Sequence, residues 1–283
     1  MDYLELNIEL KPRDPWAEIL IAELADAGYE SFVETEEGLL AYGRISEIDL
    51  DDPVRDTILS NNHPDFEAKI EQRIIPHENW NAKWEADFYP VQVEEYCTII
   101  APFHEQSVVK GLPVVIQPQM SFGTGHHQTT YMMTKALFEL VSMPKNVLDM
   151  GTGTGVLAIV AEKLGAEKVV AVDIEDWSVE NTMENAQRNQ CEHILGICGD
   201  IDVVPHLNYG LILANINKNI LKSHMNAYCN FLDEKGILLL SGFFTTDANE
   251  LIDHATNEGL VFEQQYTRDE WCCLKLRKDK KSA

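Results

Sequence analysis

The residues best placed to do chemistry stand in one run, Asn146-Val147-Leu148-Asp149-Met150-Gly151-Thr152-Gly153-Thr154-Gly155, directly ahead of a helical stretch over Val156–Leu164. An apolar strand enters a loop with glycine at every second position, and a helix starts at its end. Glycine permits positive φ and lets a ligand come close to the backbone, while the helix N-terminus offers free amide groups. Such a turn cradles a nucleotide-type cofactor. A dinucleotide fingerprint would place its third glycine at position 156, which is valine, and this weakens a nicotinamide oxidoreductase reading. A second apolar segment, Lys168–Asp173, ends in an acid about 20 residues further on, where a carboxylate accepts both ribose hydroxyl protons. Asp200 follows a third segment, Ile194–Ile197, as a cofactor contact or a plain turn acid. Asn215 sits near the end of a fourth, Leu211–Ile216, as a residue beside the reacting group or as the cap of a helix over Asn219–Leu232.

A further polar loop, Gln117–Thr130, carries two glycines, two histidines and several hydroxyls just before a helix expected over Tyr131–Val141. Adjacent histidines on a loop rarely converge on one metal, so no metal site is expected; the loop reads as cover for the cofactor. The six cysteines form no C-x-x-C pair and read as reduced thiols. On a strand, Cys272 and Cys273 would point to opposite faces.

Two domains must position these residues, since 283 residues exceed one ordinary domain. Residues 3–10 alternate apolar and polar as a half-buried strand does. Asp14-Pro15 opens a helix, with Asp as cap and Pro at its first position; Trp16, Ile19, Leu20 and Leu24 fall on its apolar stripe and Gly28 ends it. Strands over 31–35 and 39–43, a helix over 54–60 and a strand over 66–75 complete a smaller α+β domain of ferredoxin-like type, residues 1–76. A linker over 77–87, with Trp80 and Trp84, reads as a packing hinge. From 88 to 283 strands and helices alternate as an α/β, doubly wound, Rossmann-like parallel sheet. The helix after Asp173 carries Val179, Met183 and Ala186 at core spacing. A basic tail, Arg277–Lys281, closes the pattern.

Net charge is −25 with a sequence pI near 4.6. That argues against direct nucleic-acid binding, which needs a basic face, and favours cationic partners. No apolar run approaches the roughly 20 residues of a membrane span, and the first residues lack the regions of a secretion signal. A cytoplasmic location with no membrane partner is expected.

Taken together, these motifs resemble the ribosomal protein L11 methyltransferase family, a group of class I S-adenosylmethionine-dependent enzymes. The loop Met120–Thr130 fits that family's Met-x-Phe-Gly-Thr-Gly-x-His-x-Thr-Thr, and Asp149–Gly155 with Leu164-Gly165-Ala166 fits its glycine motif. Asp173, Glu184-Asn185-Ala186, Ala214-Asn215-Ile216 and Ser241-Gly242 match further positions. Two departures stand out: Gln128 where a proline is common, and Glu175-Asp176 in place of Asp-Pro. The resemblance implies S-adenosylmethionine as cofactor and the amino groups of ribosomal protein L11, a basic protein, as acceptors, lysine side chains or a terminal α-amine. It puts Thr130, Gly151, Asp173 and Asn215 on the cofactor and Asp200 beside the adenine amino group. Asn215 is also the candidate for orienting the amine; no dedicated base is named. The smaller domain would recognise substrate. An RNA methyltransferase and a non-catalytic cofactor-sensing module are the alternatives.

Overall fold

The structure, a computed structural model, describes residues 2–48, 65–76, 85, 88–119 and 123–279, in two compact units, Met1–Asp87 and Phe88–Ala283. The helix expected over 54–60, Trp80 and Trp84 of the linker, loop positions 120–122 and the last four residues of the chain, 280–283, lie outside the described residues.

In the first unit β1 (Tyr3–Lys11) buries Leu4, Leu6, Ile8 and Leu10 on one face, as its alternation requires. It lies inside a four-stranded antiparallel sheet, order β2-β3-β1-β4, with β2 (Ser31–Glu34), β3 (Gly38–Arg44) and β4 (Glu67–Ile75). Helix α1 (Trp16–Asp26) adds Ala17, Leu20 and Leu24 to the same core. Its start differs from expectation: Pro15 itself takes the cap position, no side chain caps the helix, and Asp14 pairs with Arg13 at 2.7 Å. Ile19 is not a core residue but 38% exposed, because it lies about 100° of helical rotation off the stripe that Ala17, Leu20 and Leu24 define.

The second unit opens with a small three-stranded sheet that sequence periodicity did not signal: β5 (Val91–Val93), β6 (Cys97–Ile100) and β7 (Leu112–Val115). Helix α2 (Gln128–Phe138) follows. The main sheet comprises β8 (Asn146–Met150), β9 (Lys168–Asp173), β10 (Ile194–Cys198), β11 (Tyr209–Asn215), β12 (Leu232–Phe244), β13 (Leu260–Arg268) and β14 (Trp271–Lys278). Its order is β10-β9-β8-β11-β12-β14-β13. The first five run parallel, and β14 is antiparallel to both neighbours. This is the doubly wound sheet of a class I methyltransferase. Helices α3 (Val156–Lys163), α4 (Asp176–Arg188), α5 (Lys218–Phe231) and α6 (Ala248–Asn257) flank it.

The sheet separates two apolar layers, and adjacent Cys273 and Cys272 fall one into each, as strand alternation demands. The chain winds from β8 outward to β9 and β10, then returns to place β11 on the other side of β8. The crevice at the carboxyl ends of β8 and β11 is therefore the topological switch point, where open α/β sheets take ligands. Among the described residues no helix is long and apolar enough to cross a membrane.

Candidate cofactor and acceptor site

Gly151, Gly153 and Gly155 all have positive φ, +70°, +57° and +79°. That is why glycine occupies alternate positions of the turn between β8 and α3. A Cβ on Gly151 would lie 2.2 Å from Ile216 Cγ2, so bare backbone lines the crevice there. Asp173 ends β9 with its carboxylate turned to the same turn: Oδ2 accepts from the Gly153 amide at 2.9 Å and Oδ1 from the Glu175 amide at 3.2 Å. The acid thus caps backbone and borders the crevice together, with lone pairs left for hydroxyl donors.

The glycine turn is braced from beneath by a helix face that periodicity misjudged. Met183 of α4, expected in the core, is 40% exposed; Ala186 is buried as expected, but the residues buried with it are the polar Ser178, Asn181, Thr182 and Asn185. Two of these polar groups give the turn's carbonyls their partners. Thr182 Oγ1 donates to Gly153 O at 3.0 Å and Asn185 Nδ2 to Thr154 O at 2.9 Å. Asn185 Oδ1 also accepts from the Gln117 amide at 2.8 Å, and Asn189 exchanges two bonds with Val115. One helix face therefore holds both the glycine turn and the segment leading into the histidine loop. Thr154 Oγ1 completes the link by donating to Gly123 O at 2.7 Å.

Asp149 is buried beneath the turn, accepting from Thr152 Oγ1 at 2.8 Å. Burial pushes its carboxyl up to about 7, and its other oxygen has no partner.

The resulting cleft, about 450 Å³, brings together Gly151, Asp173, Asp200 and Asn215, with Val172, Ile174 and Ile216 as apolar wall. Asp200 does serve the turn, accepting from the Ile201 amide at 2.7 Å, yet also faces the cleft. There His224 Nε2 lies 3.3 Å from its Oδ1. Sequence reasoning missed His224, since it shares the inner stripe of α5 with Leu221, Met225 and Tyr228 and reads as core.

Asn215 does not cap α5. Asn217 does, its side chain accepting from the Ile220 amide at 3.2 Å. The Asn215 Oδ1 atom is buried without a partner. Its residue borders the large cleft and also a second pocket, about 250 Å³, lined by His127, Thr129, Gly242 and Trp271. The structure does not bring Thr130 to either cavity wall. It is fully buried on α2 with its hydroxyl unpartnered, and Thr129 is the threonine that lines the smaller pocket.

An unpartnered buried acceptor, a carboxylate at a strand end and a cradle that a Cβ would fill all fit an adenosyl cofactor with a polar tail. The chain matches the family model described as ribosomal protein L11 methyltransferase over residues 30–279. The chain belongs to that family. A Porphyromonas gingivalis relative named ribosomal protein L11 methyltransferase is 40% identical over 264 residues, 93% of this chain and 91% of the relative. A Bacteroides thetaiotaomicron relative of the same name is 34% identical over 98% of this chain and 99% of its own. Among solved structures, ribosomal protein L11 methylase from Lactobacillus delbrueckii subsp. bulgaricus superposes with TM-score 0.63 at 25% identity. It covers 68% of this chain and 100% of its own. The family's cofactor is S-adenosylmethionine.

Proposed function

We propose that this chain transfers methyl groups from S-adenosylmethionine to amino groups of ribosomal protein L11, at lysine side chains, a terminal α-amine or both. The observation that carries this reading is Asn215: the residue lines both a cofactor-sized cleft and a smaller pocket, and its side-chain oxygen has no partner within the protein. When bound, S-adenosylmethionine supplies an electrophilic methyl on a cationic sulfur. Asp173 would hold the ribose hydroxyls, the glycine turn and Gly151 the methionine portion, and Asp200 the adenine amino group. Thr130 would act from beneath the histidine loop rather than by direct contact.

The smaller pocket suits an entering amine. Trp271 packs edge-on to His127 at 4.5 Å and tilted against Phe244 at 4.4 Å, so its walls shed water. Burial lowers the His127 pKa, which keeps the imidazole neutral at pH 7 and adds no cation beside the amine. A lysine must lose its proton before it attacks, at a cost of about 4 kcal/mol near pH 7.4, and desolvation reduces that cost. Asn215 Oδ1 would accept a hydrogen bond from the neutral amine and orient the amine's lone pair for attack. That is a positioning role; the amine sheds one proton to solvent before attack, and the methylated ammonium product sheds a second before any further transfer.

By this reading residues 88–283 are catalytic, 77–87 link the units and 1–76 recognise substrate. The test is intact-mass spectrometry of purified ribosomal protein L11 incubated with the enzyme and S-adenosylmethionine. Mass gains in steps of one methyl, mapped to amines, are expected. Cofactor binding without any gain overturns the acceptor.

A further inference from the structure

A third cleft, about 260 Å³, is also bordered by the histidine loop, lined by Gln92, Gly125, His126, Gln128, Tyr131 and Arg268 among others. Most of its polar groups are already engaged. His126 Nε2 bonds Tyr89 O at 2.8 Å, and the Gln92 amide donates to Glu94 O and accepts from Thr98. Two groups are not engaged. Arg268 makes no ion pair or hydrogen bond among the described residues; its guanidinium carbon lies 3.6 Å above the Tyr131 ring centroid. Gln128, the departure from the family's proline, likewise has no side-chain hydrogen bond among the described residues.

The surroundings sharpen the contrast. In a chain of net charge −25, an arginine without a carboxylate partner is notable. The acid nearest in influence, Glu94, is taken by Lys135 at 2.6 Å. That bond, with smaller effects of Tyr131 and Arg268, holds its carboxyl below the usual range. A cation–π contact with Tyr131 holds the guanidinium over the ring. The in-plane N–H fork stays open to an anion. Gln128 supplies an amide donor where the family's proline would bring none.

We propose that Arg268 and Gln128, with Tyr131 as platform, form an anion-binding subsite that takes an aspartate or glutamate side chain of the polypeptide substrate close to the amine being methylated. The proximity follows from the loop: His126 and Gln128 face this cleft while His127 and Thr129 face the acceptor pocket. A residue held here therefore lies within a few positions of the acceptor amine, in sequence or in space. The charge balance selects a single carboxylate on a basic protein over a polyanion, which the rest of the acidic surface repels. The subsite turns general attraction for a basic protein into a choice among its amines. This rests on the amine-methylating function proposed above.

The experiment is steady-state methylation of ribosomal protein L11 by the full-length wild-type, Arg268→Ala, Arg268→Lys and Gln128→Pro enzymes, with thermal melting and S-adenosylmethionine titration calorimetry in parallel. For Arg268→Ala, kcat/KM falls roughly tenfold or more through KM, while kcat, melting temperature and cofactor affinity stay at wild-type values. Arg268→Lys, which keeps the charge without the fork, falls between, and Gln128→Pro loses a smaller factor. Asp→Asn and Glu→Gln substitutions near each methylated amine of the substrate then identify one carboxylate. Its loss costs the wild-type enzyme the same factor and costs Arg268→Ala nothing more. Transfer by wild type with an unchanged Arg268→Ala kcat/KM overturns the subsite alone. An RNA oligonucleotide whose binding depends on Arg268 while substrate carboxylates do not matter also overturns it. Absence of any transfer by wild type overturns the function and the subsite together.

Discussion

The Gly153 amide donates to Asp173 Oδ2 at 2.9 Å across the ends of β8 and β9. The residue that would grip the ribose is thus the residue that tensions the glycine turn. Asp173→Ala removes both roles. S-adenosylmethionine affinity, read by calorimetry, is expected to fall by about 1.5–3 kcal/mol, the range of a charge-assisted hydrogen bond. Asp173→Asn keeps an acceptor for Gly153 and loses less. Wild-type affinity in Asp173→Ala would detach this acid from the cofactor.

Gly151→Ala meets two obstacles, a φ of +70° and a methyl group 2.2 Å from Ile216 Cγ2. The left-handed conformation alone costs about 1–2 kcal/mol in a residue with a Cβ. Melting temperature and cofactor affinity should both drop. Adding Ile216→Ala relieves the clash but not the backbone term, so recovery should be partial; full recovery would mean the turn carries no conformational demand.

Asn185→Ala leaves Thr154 O and the Gln117 amide without their partners. At about 1–3 kcal/mol for each buried group left unsatisfied, it is expected to destabilise the second unit strongly in urea melts. Met183→Ala, on the exposed face of the same helix, should change stability little. Equal effects from the two would refute the view that the polar face is the working one.

Asp149 predicts a pH dependence of definite sign. Its folded-state pKa is raised to about 7 from 3.8, first by burial. Below 3.8 both folded and unfolded states carry the proton and the group contributes no difference. Between about 3.8 and 7 only the folded state keeps it, so stability falls as pH rises through that window and levels off above 7. Asp149→Asn removes the dependence. In the cofactor-free protein, its melting temperature relative to wild type should climb from pH 4 to pH 7.5. A constant difference would show that Asp149 is ionised throughout.

Asn215→Ala tests amine positioning. Turnover on ribosomal protein L11 is expected to fall tenfold or more, about 1.4 kcal/mol of transition-state stabilisation, with the fold intact by melting. An enzyme that keeps both full turnover and cofactor affinity has no use for this side chain.

The sequence by itself determined the parallel strands β8 to β11, the glycine turn and the acid at the end of β9, because each is a local demand. Buried parallel strands need unbroken apolar runs, and Gly151, Gly153 and Gly155 sit where only positive φ closes the turn. Asn215 was visible as a polar residue ending an apolar strand, but its choice between helix cap and site was not. Packing decided against the cap when Asn217 took it and left the Asn215 oxygen buried without a partner. The inner face of α4 was misread because Thr182 and Asn185 satisfy carbonyls some 30 residues away in the chain, which no period of 3.6 reports. His224 looked like core for the same reason. Arg268 and Gln128 lie far apart in sequence, and only the placing of β13 beside α2 brings a bare guanidinium and a bare amide to one cleft. Local sterics and burial are written along the chain; the pairing of polar groups across it is settled only when the fold chooses their neighbours.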